Sequence, residues 1–219
     1  MFLEIKNLLT GAEVARLTAL ASGMKFVDGR VSNTGFDQKQ NLQADAADND
    51  YAESAKIVAD ALWRSREFRD FALPRKFAPP LLARYEPGMK YGPHADAAYV
   101  NSADGPVRSD VSCTVFLNDP RSYQGGELLL HIGRALALKA EAGNAVLYPS
   151  TKLHEVAPVR SGQRLVSITF IESQVPDEAE REALFELGEI SALEGNAMNP
   201  VNRMRLEVVR QNLTRKWSR

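Results

Sequence analysis

Between residues 80 and 173 the chain is a series of short apolar runs interrupted by glycine, proline, asparagine and aspartate. Runs this short, with turn signals such as Gly125-Gly126 and Gly143-Asn144, are typical of strands joined by tight turns. Many short strands at fairly even spacing predict an antiparallel barrel or jelly roll. The predicted strands cover residues 81–85, 94–99, 110–117, 127–131, 137–140, 145–148, 154–159 and 164–171.

The segments on either side of this region have helical patterns. Thr10 and Glu13 are spaced as a capping box, which predicts a helix over 11–22, and Asp50 with Glu53 predicts a second helix start. Residues 29–49 between these helices are polar and predict a loop with short strands that covers a pocket. Beyond residue 174, helix starts at Pro176-Asp177-Glu178 and Asn199-Pro200 predict a C-terminal helical hairpin, packed on the barrel or on a second subunit.

These patterns predict an α+β fold that is mainly β. We divide the chain into an N-terminal α/β support region over 1–80, a β core over 81–173 and a C-terminal helical segment over 174–219. A chain of 219 residues is long enough to bury one sizeable core.

Charge and cysteine content limit the partners and the compartment. The formal net charge of −1 gives no reason to expect nucleic acid or an anionic membrane as partner. Cys113 is the only cysteine, so no intrachain disulfide can form, and burial on a strand is the expected role of its side chain. The N-terminus has no signal-peptide pattern, and no apolar run approaches the roughly 18 residues of a membrane span. A cytoplasmic location is expected.

The step His94-Ala95-Asp96 carries a metal-ligand pattern. Side chains two apart on a strand point to the same face, so His94 and Asp96 are predicted to reach one ion from a single strand. His154, in another apolar segment, supplies a third ligand. Two histidines and one carboxylate, with three open positions, are the ligand set of non-heme Fe(II) oxygenases. Taken alone, a His-x-Asp step also fits two unrelated histidines. The third histidine, His131, is interpreted as an outward strand residue.

Arg164 lies ten residues after His154 at the start of an alternating strand. It shares a face with Val166, Ile168 and Phe170, which points it into the barrel. A buried guanidinium needs an anionic partner, and either a protein carboxylate or a ligand carboxylate matches it through two hydrogen bonds. Beside an iron triad, a carboxylate-binding arginine indicates a 2-oxo acid cosubstrate. The alternative is an exposed arginine at a strand start.

The run RYEPGMKYGPHAD resembles the Tyr-x-x-x-x-x-Tyr-x-x-His-x-Asp signature of prolyl-hydroxylase-like Fe(II)- and 2-oxoglutarate-dependent dioxygenases. The continuation from RSDVSCTVFLNDP through SGQRLVSITFIES is similar to the bacterial PKHD-type hydroxylases in particular, as is the helical tail. The resemblance covers nearly the whole chain and is strongest from about 81 to 173.

This resemblance implies a double-stranded β-helix (jelly roll) with Fe(II) at His94, Asp96 and His154. It implies that Arg164 binds the distal carboxylate of 2-oxoglutarate, that Tyr85 lines the cosubstrate pocket, and that L-ascorbate serves as an auxiliary reductant. The expected reaction uses O2 to hydroxylate a C–H bond and releases succinate and CO2. A peptidyl proline, a free amino acid and an iron-chelating metabolite all remain open as substrates.

Two other functions use the same fold and ligands. One is a non-catalytic jelly-roll module that senses iron or a ligand, since fold alone does not set function. Such a module would not need Arg164 to bind the carboxylate of 2-oxoglutarate. The other is a zinc hydrolase, which needs a general base beside the metal. Glu155 is predicted to face away from the metal, which counts against that hydrolase. The C-terminal helices could also join two copies of the chain as a homodimer.

Overall fold

Five α-helices flank the strand region, and the computed structural model describes all residues from 1 to 219. Three lie before the strand-rich core and two after it. Short 3-10 turns occur at Gly29–Ser32, Pro120–Ser122 and Gly195–Ala197. The helices are α1 (Gly11–Gly23), α2 (Tyr51–Arg64), α3 (Arg66–Ala72), α4 (Glu178–Glu194) and α5 (Pro200–Trp217).

The helix starts differ in how well the sequence predicts them. The capping box of α1 is confirmed: Thr10 Oγ1 accepts from the Glu13 amide at 3.3 Å, and Glu13 accepts from the Thr10 amide at 2.8 Å. For α2 the predicted start is confirmed, because the helix begins at Tyr51 with Asp50 at its N-cap, but Asp50 has helical backbone angles and makes no side-chain cap hydrogen bond. Helix α3 was not predicted, although Ser65 caps it by accepting from the Phe68 amide. Seven residues are too few for a periodic pattern to stand out.

Seventeen strands make up the rest of the regular structure. They are β1 (Leu3–Ile5), β2 (Phe26–Asp28), β3 (Lys39–Gln40), β4 (Leu42–Ala44), β5 (Pro74–Phe77), β6 (Leu81–Tyr85), β7 (Lys90–His94), β8 (Tyr99–Val100), β9 (Val107–Arg108), β10 (Val111–Phe116), β11 (Gln124–Gly125), β12 (Leu128–Ile132), β13 (Arg134–Leu138), β14 (Ala145–Pro149), β15 (His154–Val156), β16 (Val159–Ser161) and β17 (Arg164–Ser173).

Two antiparallel sheets form the jelly roll that was predicted. The larger has eight strands in the order β1-β14-β10-β17-β6-β4-β2, with β5 also paired to β17. The smaller has the order β13-β12-β15-β7-β3. Two short ribbons, β11-β16 and β8-β9, complete the pairing. Strands from the first 80 residues thus extend both sheets, because β1, β2, β4 and β5 belong to the larger sheet and β3 to the smaller one.

The larger sheet separates two apolar cores. A cluster of 23 buried residues fills the space between this sheet and helices α1 to α3, and a cluster of 11 lies on its other side, with residues from both sheets. Strand β10 shows the alternation: Cys113 and Val115 belong to the first cluster and Phe116 to the second. Cys113 is buried, as predicted, and burial raises the pKa of its thiol to about 12.

Three predicted strands differ from the structure by more than one or two residues at their ends. The strand predicted over 94–99 is wrong, because β7 ends at His94 and the next strand begins only at Tyr99. The strand predicted over 137–140 lies earlier, because Gly133, with φ of +83°, makes a tight turn that pairs Ile132 with Arg134. The run predicted over 154–159 is divided into β15 and β16.

The C-terminal helices pack on the helical side of the molecule. Phe185 of α4 meets Phe71 of α3 edge to face, with ring centroids 5.4 Å apart. Helix α5 pairs with α4 but has no buried residue over its whole length. None of the helices combines the length and the apolar character that crossing a bilayer would require.

Candidate metal and cosubstrate site

His94 and His154 lie directly opposite each other in the smaller sheet. Strands β7 and β15 are neighbours, and their register pairs His94 with His154. The two imidazole centroids are 4.2 Å apart. Antiparallel pairing therefore brings together two candidate ligands that are 60 residues apart in the sequence.

Asp96 reaches the two histidines from a loop. The predicted geometry, with His94 and Asp96 on one strand, is wrong, because β7 ends at His94. The chain turns after His94, and the Asp96 amide donates to the Ser150 carbonyl at 3.2 Å. This backbone hydrogen bond ties the loop to the end of β14 and directs the Asp96 carboxylate toward both imidazoles.

The three ligand atoms converge on one point. They all lie within 4.8 Å of one another, with Nε2 of His94 3.8 Å from Asp96 Oδ1 and Nε2 of His154 3.7 Å from Asp96 Oδ2. Each Nδ1 donates to a backbone carbonyl two residues earlier, at 2.8 Å to Gly92 and 2.9 Å to Lys152. Such hydrogen bonds place the ring proton on Nδ1 and leave Nε2 free to bind metal.

Burial keeps the His94 imidazole in the neutral state that metal binding needs. Desolvation and the neighbouring His154 lower the pKa of His94 to about 4, so its imidazole is neutral at neutral pH. Two imidazoles and one carboxylate on one side of a site fit Fe(II). Tyr91 also stacks on the His94 ring, with centroids 3.6 Å apart, and so fixes the plane of that ligand.

A chain of three buried serine hydroxyls extends behind Asp96. Ser112 Oγ donates to Asp96 Oδ2 at 2.5 Å and lies 2.7 Å from Ser150 Oγ, which accepts from Ser109 at 2.8 Å. Sequence reasoning missed these residues. The available signal was the polar Ser112 and Thr114 alternating with apolar residues in β10, a strand that is buried throughout. The hydrogen bond from Ser112 holds one carboxylate oxygen of Asp96 and leaves the other free.

We expect Ser112→Ala to weaken metal binding by about 10–100-fold, the usual effect of removing a hydrogen bond to a metal ligand. Calorimetric titration of the metal-free protein with Mn(II) measures this. Ser167→Ala is the matched control, because Ser167 is also a buried serine but its Oγ has no hydrogen-bond partner. Equal metal affinity in the two variants would show that Ser112 does not orient Asp96.

Arg164 and Tyr85 lie side by side on neighbouring strands of the larger sheet. The register pairs Arg164 of β17 with Tyr85 of β6. The Arg164 side chain is directed inward, as the alternation predicted, and the residue is only 2% exposed. Its guanidinium carbon is 5.0 Å from the Tyr85 ring centroid and 5.6 Å from that of Phe116. Burial raises the pKa of Tyr85 to about 12, so the phenol remains neutral.

The Arg164 guanidinium forms no ion pair with a protein carboxylate, and its Nε has no hydrogen-bond partner. A buried cation without a counter-charge is costly, so this side chain is arranged for an anion that the protein itself does not supply. A carboxylate fits the planar donor fork of arginine. The exposed strand-start alternative for Arg164 is excluded by its burial.

One cavity of about 990 Å³ joins these groups. His94, Asp96 and His154 line it together with Arg164 and Tyr85. The polar segment over 29–49, predicted to cover a pocket, lines it through residues that include Ser32, Lys39 and Asn41, and the loop after the first ligands contributes Val100 to Ala103. The three candidate metal ligands and the buried arginine therefore open into a single space, with room for a small dicarboxylate and a second molecule.

His131 lies away from this cavity, as predicted. Its Nε2 is 3.3 Å from Glu155 Oε1, and neither residue lines the cavity. Glu155 is thus turned away from His154, and the general base required by a zinc hydrolase is not at the metal ligands.

Comparison with known proteins defines the class. The family model described as the 2OG-Fe(II) oxygenase superfamily matches residues 80–172. A prolyl hydroxylase from Trichoplax adhaerens, solved with a hypoxia inducible factor peptide fragment, superposes with a TM-score of 0.60 at 16% identity, over 84% of this chain and 86% of that one. A Pseudomonas putida prolyl-4-hydroxylase superposes with a TM-score of 0.53 at 20% identity, over 78% of this chain and 92% of that one. The fold is that of a jelly-roll Fe(II)- and 2-oxoglutarate-dependent oxygenase.

Sequence comparison finds relatives with higher identity to this chain than these solved structures have. A PKHD-type hydroxylase of Sphingopyxis alaskensis is 48% identical over 218 residues, which is 99% of each chain. The chain belongs to the PKHD-type hydroxylase family of this superfamily. It is accordingly an enzyme, a hydroxylase that uses Fe(II) and 2-oxoglutarate, and the comparisons give no support to the sensing-module alternative.

Proposed function

We propose that His94, Asp96 and His154 hold the iron of this hydroxylase and that Arg164, assisted by Tyr85, binds the distal carboxylate of 2-oxoglutarate. One observation carries the proposal: an unpaired, buried guanidinium opens into the same cavity as three converging ligand atoms. A dicarboxylate that reaches from Arg164 to the ligand cluster would neutralise the cation at one end and present its 2-oxo acid end at the other.

The chain's own residues bind, orient and exclude water. Ser112 and the Nδ1 hydrogen bonds fix the ligand directions, Tyr91 holds the His94 ring, and the buried walls around Phe116 and Tyr148 keep the cosubstrate pocket dry. When bound, the iron supplies the redox chemistry that couples decarboxylation of 2-oxoglutarate to hydroxylation of a C–H bond, with release of succinate and CO2. The substrate, a peptidyl residue or a small molecule, binds in the remaining space.

Succinate formation from 2-oxoglutarate tests this function. We expect the purified protein to form succinate slowly without substrate, only in the presence of both Fe(II) and O2, with L-ascorbate prolonging the activity as an auxiliary reductant. Testing peptides and amino acids for faster turnover then identifies the substrate. Metal binding without any affinity for 2-oxoglutarate would contradict the proposal and favour a sensing module.

We further propose that two copies of the chain join through the C-terminal helices. Val201, Met204 and Val208 recur on one side of α5 and are 52%, 59% and 53% exposed, with Leu193 of α4 at 84%. An apolar stripe of this kind on a helix with no buried residue favours a two-fold interface. Light scattering after size exclusion should give twice the chain mass, and Met204→Glu should give a monomer. A monomeric wild-type chain would refute the interface.

The remaining proposals concern organisation and setting. The division into 1–80, 81–173 and 174–219 is proposed as N-terminal support region, catalytic jelly-roll core and C-terminal helical segment. A cytoplasmic location is proposed from the single cysteine and the ordinary composition. No nucleic acid or membrane partner is proposed, because the net charge is close to zero.

A further inference from the structure

Lys39 is a second buried cation that faces the same cavity. It lies on β3, the edge strand of the smaller sheet, and is only 6% exposed. The register pairs it with Tyr91, and its ammonium is 5.2 Å from that ring centroid. The ammonium donates to Ser32 Oγ at 2.5 Å and forms no ion pair with a carboxylate.

An unpaired buried ammonium is as costly as an unpaired buried guanidinium. Lysine side chains are almost never buried without a partner, since the charged head group loses its hydration. Burial lowers the pKa of Lys39, and Asp96 and Asp28 oppose that change only through space, Asp28 being itself paired with Arg30 at 2.6 Å. A single hydroxyl acceptor uses one of the three donors of the ammonium. Two donors therefore remain for a molecule in the cavity.

The charge balance of the cavity leaves Lys39 unmatched even when the cosubstrate is present. Asp96 neutralises one charge of a divalent iron. The two carboxylates of 2-oxoglutarate neutralise the other iron charge and Arg164. The remaining acidic residue of the lining, Asp45, is already paired with Lys25 at 2.8 Å. One positive charge, that of Lys39, is left for another ligand.

We propose that Lys39, oriented by its hydrogen bond to Ser32, binds a carboxylate of the primary substrate and so selects acidic substrates. This inference rests on the proposed function of the site. Lys39 is on the edge strand next to Tyr91, which stacks on the ligand His94, so a carboxylate held there is attached to a molecule beside the metal. Arg164 lies on the other sheet, and its ring neighbours are Tyr85 and Phe116. The two cations thus define separate anion positions.

Paramagnetic relaxation measures such binding without turnover. The protein is loaded with Mn(II) and saturating 2-oxoglutarate, and proton relaxation is recorded for paired probes. The pairs are N-acetylalanine with its amide, and Gly-Ala-Gly with a free or amidated C-terminus. We expect enhanced relaxation for the carboxylates and little for the amides. The first pair represents a small-molecule acid and the second a peptide. The pair whose carboxylate member shows the larger relaxation enhancement therefore indicates whether the substrate is a small molecule or a peptide.

The variants assign this preference to Lys39. We expect Lys39→Met to weaken carboxylate binding about 10-fold or more, the usual effect of losing a charge-assisted hydrogen bond. Lys90→Met is the matched control, because Lys90 precedes Tyr91 on β7 and does not line the cavity. The midpoint temperature of thermal unfolding should be the same or higher in Lys39→Met than in the wild type, since an unpaired buried charge is removed.

Equal relaxation of acids and amides, or an acid preference that survives Lys39→Met, would overturn the inference. A clear loss of thermal stability in that variant would assign Lys39 to the fold instead and overturn it as well. Relaxation of the 2-oxoglutarate protons in the same sample distinguishes the proposed function of the site from the proposed role of Lys39. If they show no enhancement, the proposed function fails; if they do and no carboxylate probe binds, only the role of Lys39 fails.

Discussion

Asp96→Asn is expected to abolish succinate formation and to lower metal affinity by at least about 100-fold. The amide has the same shape as the carboxylate but no charge, so the site keeps two imidazoles and loses its only anionic candidate ligand. Replacing a residue that only hydrogen-bonds to a metal ligand already lowers metal affinity by about 10–100-fold. Loss of a direct ligand should therefore lower it by at least as much. Calorimetric titration with Mn(II) and a succinate assay measure the two effects.

Unfolding experiments separate a lost ligand from a damaged fold. Without metal, Asp96→Asn should be at least as stable as the wild type, because Asp96 is paired with no Lys or Arg side chain in the structure. Metal at 100 times its dissociation constant should stabilise the wild type by about 2.7 kcal/mol and the variant hardly at all. Asp119→Asn, at an exposed ion pair with Arg121, is the control. Metal stabilisation that persists in Asp96→Asn would refute the assignment.

The jelly roll could be predicted from the sequence because its determinants are local. Glycine turns such as Gly125 and Gly143, both with positive φ, divide the core into short strands whose alternation is visible in the chain. Strand ends were less predictable. The alternation of residues 94–99 suggests one strand, but the hydrogen bond from Asp96 to Ser150, a long-range contact, takes the chain out of the sheet at His94.

The candidate metal ligands could be recognised in the sequence, although the geometric argument that placed His94 and Asp96 on one strand was wrong. His94 and Asp96 come together because a loop turns back toward the sheet, and His154 joins them through strand register. Ser112 was not predicted, because a serine in a strand is also compatible with a satisfied or exposed hydroxyl. Lys39 was hidden in a segment predicted as polar loop, where its burial depends on the pairing of β3 with β7. Burial of a single polar side chain is a property of the assembled sheets.

Arg164→Met is expected to raise the dissociation constant of 2-oxoglutarate by about 30-fold or more while leaving metal affinity unchanged. Removing one partner of a buried, hydrogen-bonded charge pair costs about 2–5 kcal/mol, and each 1.4 kcal/mol is about a factor of 10. The three candidate metal ligands form no ion pair with Arg164, so we expect their geometry to be unchanged. Titration of the anaerobic Fe(II) protein with 2-oxoglutarate measures the effect.

Two further variants show whether the arginine acts through its charge or through its shape. Arg164→Lys keeps the charge and loses the planar fork, so we expect an affinity between those of the wild type and Arg164→Met. Arg160→Met, an exposed arginine on the preceding strand, should bind 2-oxoglutarate normally. Because Arg164 forms no ion pair with the protein, Arg164→Met should also unfold no more easily than the wild type. Normal cosubstrate affinity in Arg164→Met would place the distal carboxylate elsewhere in the cavity, with Lys39 as the remaining unpaired cation there to receive it.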